Sequence, residues 1–329
     1  MLAKHKGRFL RGAPFLAQPA GQRSGFRKGT AMSEHSTTTT TASPTRTEAE
    51  LRALMARAVR EVRETNPLAP SITNTVTQSF VANAQLAVGG SAAMVYLPDE
   101  GECVAALGGA VYINLGTLMP VYEQTVPATA RACAAAATPW VLDPVGVGIG
   151  SLRTRLIEAV RENPPTILRG NASEIIAVAD LWGLGGNSAD GASGDGPRGV
   201  DSTDSVDAAE RAAVACARFT GGAVAVSGAT DLVTDGVQVA RLSGGSSLMT
   251  CITGSGCSLG GVCAVYACVA DPFVAALTAT AAYNLAGLRA AETCDGPGSF
   301  QVAFLNALYN LTTEEVTEAP LALASASAA

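Results

Sequence analysis

Apolar residues along this chain keep two rhythms that exchange with one another. In "EAELRALMARAVREVRET" they recur three and four apart, the spacing of an amphipathic helix. "SITN" (Ser71–Asn74) ends a short extended piece, and "VTQSFVANAQLAVGG" reads as a helix closed by glycine. "AAMVYL" and "GAVYINLG" are short apolar runs that predict strands. Helix "ATARACAAAATP" follows, then strand "PWVLDPVGVGIG" running into a glycine-rich loop, then helix "LRTRLIEAVREN". "PTILRGN" is extended and "ASEIIAVADLW" helical. Beyond a glycine-rich surface loop, Gly183–Gly199, come helix "DAAERAAVACARFTG", strand "GAVAVSG" and hairpin "DLVTDGVQVARL", with its turn at Asp235-Gly236. The rest predicts helices to about residue 316. Strands alternating with helices imply an α/β fold with a mostly parallel sheet covered on both faces.

That alternation bounds one folded domain, residues 46–317. Residues 1–45 read as an extension outside it, basic and then low in complexity. They are a flexible tail or an over-extended start with Met32 as initiator; a transit segment is the alternative. Residues 318–329, "EAPLALASASAA", read as a frayed tail. The most apolar run, "LGGVCAVYACVA", meets Asp271-Pro272 after twelve residues, too short to cross a bilayer.

Charge then narrows the chemistry. Residues 1–31 hold seven of the 22 Lys and Arg and none of the 28 Asp and Glu, so the body is strongly acidic. General nucleic-acid binding, which neutralises phosphates with many cations, is thereby excluded. All three lysines (Lys4, Lys6, Lys28) and both histidines (His5, His35) precede the body. A lysine-bearing phosphate loop, histidine-assisted Ser or Cys catalysis and histidine-based zinc sites are therefore excluded. The eight cysteines show no C-x-x-C pair and sit in Ala/Val-rich stretches, which points to a reducing, cytoplasmic setting.

Polar punctuation falls at four predicted strand ends, where ligands of an open parallel sheet bind. Asp143 closes "WVLD", and as a bland alternative it caps a turn. "ILRGNASE" supplies Arg169, Asn171 and Glu174; Asn171 and Glu174 also match a capping box, which leaves Arg169 unexplained. Ser227 and Gly228 end "AVAVSG". In "TCITGSGCSLGG", the amides around Gly254 and Gly256 can form an anion nest at a helix start, with close packing as the alternative use of the glycines. Cys257 falls in the first turn of that helix, a position that lowers a thiol's pKa. Asp143 and Glu174 could hold Mg²⁺ through waters, and the planar fork of Arg169 could pair with phosphate oxygens. Together the parts fit phosphoryl transfer.

Six ordered blocks between about residues 50 and 315 resemble the hydroxyethylthiazole kinase family. They are "ITN…VTQSFVANAQLAVGGSAAM", "NLGTL", "PWVLDPVGVG", "ILRGNASEI", "VAVSGATDLVTDG" and "LMTCITGSGCSLGG". The resemblance implies a ribokinase-like three-layer α/β/α fold. It implies ATP-dependent, Mg²⁺-assisted phosphorylation of the primary alcohol of 4-methyl-5-(2-hydroxyethyl)thiazole, in thiamine salvage. A homotrimer with active sites between subunits is part of the same expectation. By motif, Met94, Gly254 and Asn74 correspond to the substrate side. Arg169, Ser227, Asn171 and Gly256 correspond to the ATP side, and Glu174 and Asp143 to the magnesium-side acids. Cys257 takes the slot where related sugar kinases use an aspartate base, and assists deprotonation without a covalent intermediate. Ala92 and Ser71 depart from the family pattern, where proline and histidine are usual, and both border the thiazole side. A hydroxymethylpyrimidine-type alcohol and a non-catalytic nucleotide-binding relative are the competing expectations; a cysteine hydrolase is disfavoured by the missing histidine.

Overall fold

The structure is a computed structural model and describes residues 45–185 and 206–326. The strands β1 (Leu68–Ile72), β2 (Ser91–Met94), β3 (Val111–Asn114), β4 (Trp140–Asp143), β5 (Ile167–Asn171), β6 (Ala223–Ser227), β7 (Thr230–Thr234), β8 (Gln238–Ser243) and β9 (Leu321–Ser325) form one sheet. Its spatial order is β2-β1-β3-β4-β5-β6-β7-β8-β9. The pairs from β2 to β6 are parallel, and β7, β8 and β9 are added antiparallel. One face packs against α1 (Glu48–Thr65), α2 (Gln78–Ala87), α8 (Ser255–Ala267), α9 (Pro272–Glu292), α10 (Pro297–Asn310) and α11 (Thr313–Thr317). The other packs against α3 (Pro98–Leu107), α4 (Tyr122–Ala136), α5 (Ser151–Ala159), α6 (Ala172–Leu181) and α7 (Val206–Thr220). The three-layer α/β/α arrangement is the one expected. No described helix is long and apolar enough to cross a membrane.

Local chemistry sets the element ends. Thr47 and Glu50 close a capping box on α1, and Asp271 caps α9 ahead of Pro272 at its first position. Gly236, at φ +87°, turns the β7–β8 hairpin, and Asp235 Oδ1 accepts the Val237 and Gln238 N–H groups at 2.8 Å each. Two expectations need correction. Helix α4 begins at Tyr122 and runs through Pro127, which stands inside it and removes one backbone hydrogen bond without ending the helix. The tail expected to fray supplies β9, whose Leu321–Ser325 pair along β8 from Leu242 to Gln238. The extension, apart from its last residue, and the glycine-rich loop beyond residue 185 lie outside the described residues.

The period of two along a strand decides what faces the site. On β3, β4 and β5, Tyr112, Val141 and Ile167 point to the α8–α9 side while Ile113, Leu142 and Leu168 point to the other. By the same alternation Asn114, Asp143 and Arg169, two residues further on, stand on the α8 side at the carboxyl edge. Helix α8 approaches this face closely because it carries glycines. A Cβ on Gly260 would lie 2.7 Å from Cζ of Tyr112, and one on Gly261 would lie 2.9 Å from Val81. Gly260→Ala keeps a helical backbone and adds only that clash. We expect it to lower stability by roughly 1–3 kcal/mol. The urea midpoint measures this, and an unchanged midpoint would show that the ring yields freely.

Both ends of the described body meet at one residue. Gln238 pairs in register with Ser325 and exchanges hydrogen bonds with the Arg46 backbone at 2.8 and 2.7 Å.

Candidate active site

At the carboxyl edge, five neighbouring strands converge on one buried hydrogen-bonded chain. Arg169 donates through Nη1 to Asp143 Oδ2 at 3.1 Å and through Nη2 to Ser227 Oγ at 2.9 Å. Asp143 Oδ2 also receives Asn114 Nδ2 at 3.0 Å and lies 3.1 Å from the Tyr112 hydroxyl. That hydroxyl sits 2.6 Å from the Cys257 carbonyl oxygen. Asn74 Nδ2 donates to Asn114 Oδ1 at 3.1 Å and faces Cys257 Sγ at 3.4 Å. Asp143, Arg169, Ser227, Asn74 and Cys257 are thus brought together as the motifs implied. Tyr112 and Asn114 were not anticipated. Asn114 was detectable, since it ends a strand as Asp143 and Ser227 do; Tyr112 lies inside an apolar run and carries no such signal.

The electrostatics follow from burial. Asp143 is wholly enclosed, and burial lifts its carboxyl to about 6 against the opposing pull of Arg169. Burial also works against the Arg169 charge, but Asp143 and Glu174 more than offset it and hold the guanidinium above its ordinary value. Two atoms in this pair keep unused capacity. Asp143 Oδ1 and Arg169 Nε are buried with no hydrogen-bond partner among the described residues. Unmet polar atoms of this kind cost about 1–3 kcal/mol each and mark a place where a ligand can complete the bonding.

Gly254 is the N-cap of α8 at φ +90°, a left-handed conformation that glycine adopts freely. No side chain caps the helix, so its first amides are left for an anion. Gly256 lies directly under Arg169, where a Cβ would sit 2.9 Å from Nη2. Glycine at that position lets the guanidinium reach the amide nest. Cys257 occupies the first turn as expected, but its thiol departs from expectation. Burial, followed by the nearby Asp143 charge, pushes it up to about 11 despite Arg169 and the Asn114 and Thr77 side chains. Desolvation of the thiolate outweighs the helix field. At pH 7 the thiol is overwhelmingly protonated. Alkylation of the Cys257 peptide by iodoacetamide should therefore quicken about tenfold per pH unit from 7 to 10. A plateau by pH 8, read by mass spectrometry, would contradict this.

The acidic residues divide in function. Glu174 is committed to the fold: Oε1 accepts the Gly146 N–H at 2.9 Å and Oε2 the Asn171 N–H at 2.8 Å. Asn171 completes the capping box of α6 by accepting Glu174 N–H at 2.9 Å, the structural use foreseen for it. The Glu174–Gly146 bond holds a strained turn, because Val145 between Pro144 and Gly146 has φ +32°. A β-branched residue there costs on the order of 1–3 kcal/mol. No group of three or more His, Cys, Asp or Glu among the described residues encloses a metal. Met94 ends the edge strand β2, half-buried against the α2–α8 core and in register with Ser71. Ser71 is fully buried and receives Gln85 Nε2 at 3.1 Å, so this departure from the family pattern is absorbed inside the fold.

Comparison with known proteins agrees with this geometry. The hydroxyethylthiazole kinase family model matches residues 59–314. Hydroxyethylthiazole kinase of Bifidobacterium longum (strain DJO10A) is 50% identical over 296 residues, covering 86% of this chain and 94% of that protein. The solved structure of a hydroxyethylthiazole kinase protein from Pyrococcus horikoshii OT3 superposes with a TM-score of 0.73 at 29% identity, covering 83% of this chain and 99% of the other. A ribokinase-like superfamily protein from Enterococcus faecalis V583 shares the fold, with a TM-score of 0.53 at 10% identity over 81% of this chain and 95% of the other. With its motif residues gathered at one sheet edge and the family model matched over most of its length, the chain belongs to the hydroxyethylthiazole kinase family.

Proposed function

We propose that this protein transfers the γ-phosphoryl group of ATP to the primary alcohol of 4-methyl-5-(2-hydroxyethyl)thiazole, a thiamine-salvage reaction in the cytoplasm. One observation carries the reading: Arg169, Asp143 and the uncapped start of α8 converge on one spot with bonding capacity left over. The alcohol oxygen forms a bond to the γ-phosphorus, the bond from that phosphorus to the ADP oxygen breaks, and the alcohol proton passes late to an oxygen of the transferred phosphoryl group and from there to solvent. The amides after Gly254, with Gly256 beneath, take the negative oxygens in place of a lysine. Arg169 contributes its fork on the nucleotide side together with Ser227 and the Asn171 junction. Cys257, neutral at rest, orients the hydroxyl; its sulfur suffices because a loose transition state loses the proton late.

The residues present fit a Mg²⁺ ion held mainly by nucleotide phosphates and water. Asp143, through its unpartnered Oδ1, would receive a water of the ion, and Glu174 would add negative charge nearby. When bound, the ion neutralises charge between the β- and γ-phosphates. Met94 and Asn74 frame the thiazole. A homotrimer with sites between subunits belongs to this reading and is supported by the half-exposed edge strand β2 and by Val76, 66% exposed just before α2. The test is ATP turnover by the purified protein over a panel of thiazole and pyrimidine alcohols. Turnover confined to the hydroxyethylthiazole supports the proposal. Preference for a hydroxymethylpyrimidine, or nucleotide binding with no transfer, would overturn it.

A further inference from the structure

Thr77 immediately precedes α2 and stands at its N-cap. A threonine there ordinarily turns its hydroxyl onto the helix's second or third N–H. Here it does not: no side chain caps α2, and Thr77 Oγ1 is buried with no hydrogen-bond partner among the described residues. The residue itself is only 4% exposed. An unmet buried hydroxyl is a standing cost, so its orientation needs a reason.

The surroundings supply one. The Thr77 side chain lies against the nest: a Cβ on Gly254 would come within 2.8 Å of its Cγ2 and 2.9 Å of its Cβ. Its hydroxyl stands beside the Cys257 thiol, close enough to lower the thiol's pKa, without making a hydrogen bond of good geometry. Its backbone is fixed by a bond from its own N–H to Asn74 Oδ1 at 3.1 Å, so the residue is rigidly tied to the network. The starts of α2 and α8 thus stand side by side, both uncapped, with the Thr77 methyl facing Gly254 and its hydroxyl facing Cys257 in the first turn of α8. Both positive helix ends open beside Cys257, the neighbour of the unpartnered donor. The body has no lysine, so hydroxyl and amide donors must carry that task.

The geometry points to Thr77 as a further catalytic residue, whose hydroxyl donates a hydrogen bond to a non-bridging oxygen of the phosphoryl group as it reaches the acceptor and of the phosphate monoester it becomes. This rests on the kinase reading above, and it assigns to α2 the acceptor half of the anion site, opposite the nucleotide half held by Arg169.

Thr77→Val keeps the branched shape and removes the hydroxyl; Thr77→Ser keeps the hydroxyl. We expect Thr77→Val to lower kcat by about 10- to 100-fold, as for one hydrogen bond to a charged group. Calorimetric affinity for the phosphorylated alcohol should fall in parallel, while the ATP KM stays unchanged. The urea midpoint of Thr77→Val should stay level or rise, because an unpaired buried hydroxyl is gone; a structural cap would give a lower midpoint. Thr77→Ser should restore most of kcat. Unaltered kcat and monoester affinity in Thr77→Val, with an active wild type, would overturn the assignment and leave the kinase reading intact. So would a loss that tracks a lower midpoint and is not rescued by serine. A wild type that phosphorylates no alcohol would overturn both.

Discussion

Asp143→Asn should lower kcat by roughly 10²- to 10³-fold, the size of losing one preorganised group from a site, because the carboxylate fixes Arg169 and would receive a water of the magnesium ion, yet leave the fold intact. The carboxylate is where the chain of bonds from Arg169, Asn114 and Tyr112 ends, and its second oxygen is the one without a partner. Asparagine keeps the shape and one acceptor but removes the charge. The stability effect runs the other way. Burial raises the folded-state carboxyl to about 6, above the ~3.9 of an unfolded aspartate. The favourable contribution of the neutral form is therefore complete below pH ~4 and is lost as pH rises through about 6. Asparagine cannot ionise, so the variant escapes that loss. Its urea midpoint should therefore lack the fall that the wild type shows between pH 4 and 7. A variant that is inactive because it is unfolded would refute the argument, as would a wild-type curve flat across that window.

Cys257→Ala should cost about 10²-fold in kcat, at the low end for a group that handles a proton, with ATP KM nearly unchanged. The thiol faces Asn74 and the acceptor side, while Arg169 and Ser227 form the other end of the network. Because burial holds the thiol near 11, it acts at neutral pH as an orienting sulfur more than as a ready base, which keeps the penalty modest. Cys257→Asp should retain more activity than the alanine variant, since a carboxylate also accepts from the alcohol. Steady-state kinetics of the three proteins decide this. Lost ATP binding in Cys257→Ala would move the residue to the nucleotide side, and an aspartate variant weaker than alanine would remove the acceptor role.

The edge of the sheet was legible because it follows from rules local to each strand. Asp143, Arg169 and Ser227 each close an apolar run, and parallel alternation brings such ends to one side. Burial state was not legible. The first turn of α8 predicts a field that favours the Cys257 thiolate, but the enclosure that overrides it comes from strands well over a hundred residues earlier. Tyr112 reads as core; only its packing beneath Gly260 of α8 turns its hydroxyl toward Cys257 and Asp143. Thr77, one threonine among several around Val76, carries no signal in the sequence, and its uncommitted hydroxyl is visible only in three dimensions. Strand β9 hid because "LALAS" alternates leucine with alanine, too weak a contrast for a strand signal.

The meeting of Arg46 and Ser325 at Gln238 makes the folded body almost a closed loop. A circular permutant is therefore open to construction. A short glycine-serine linker from Ala326 back to Thr45 would join the two ends across one side chain.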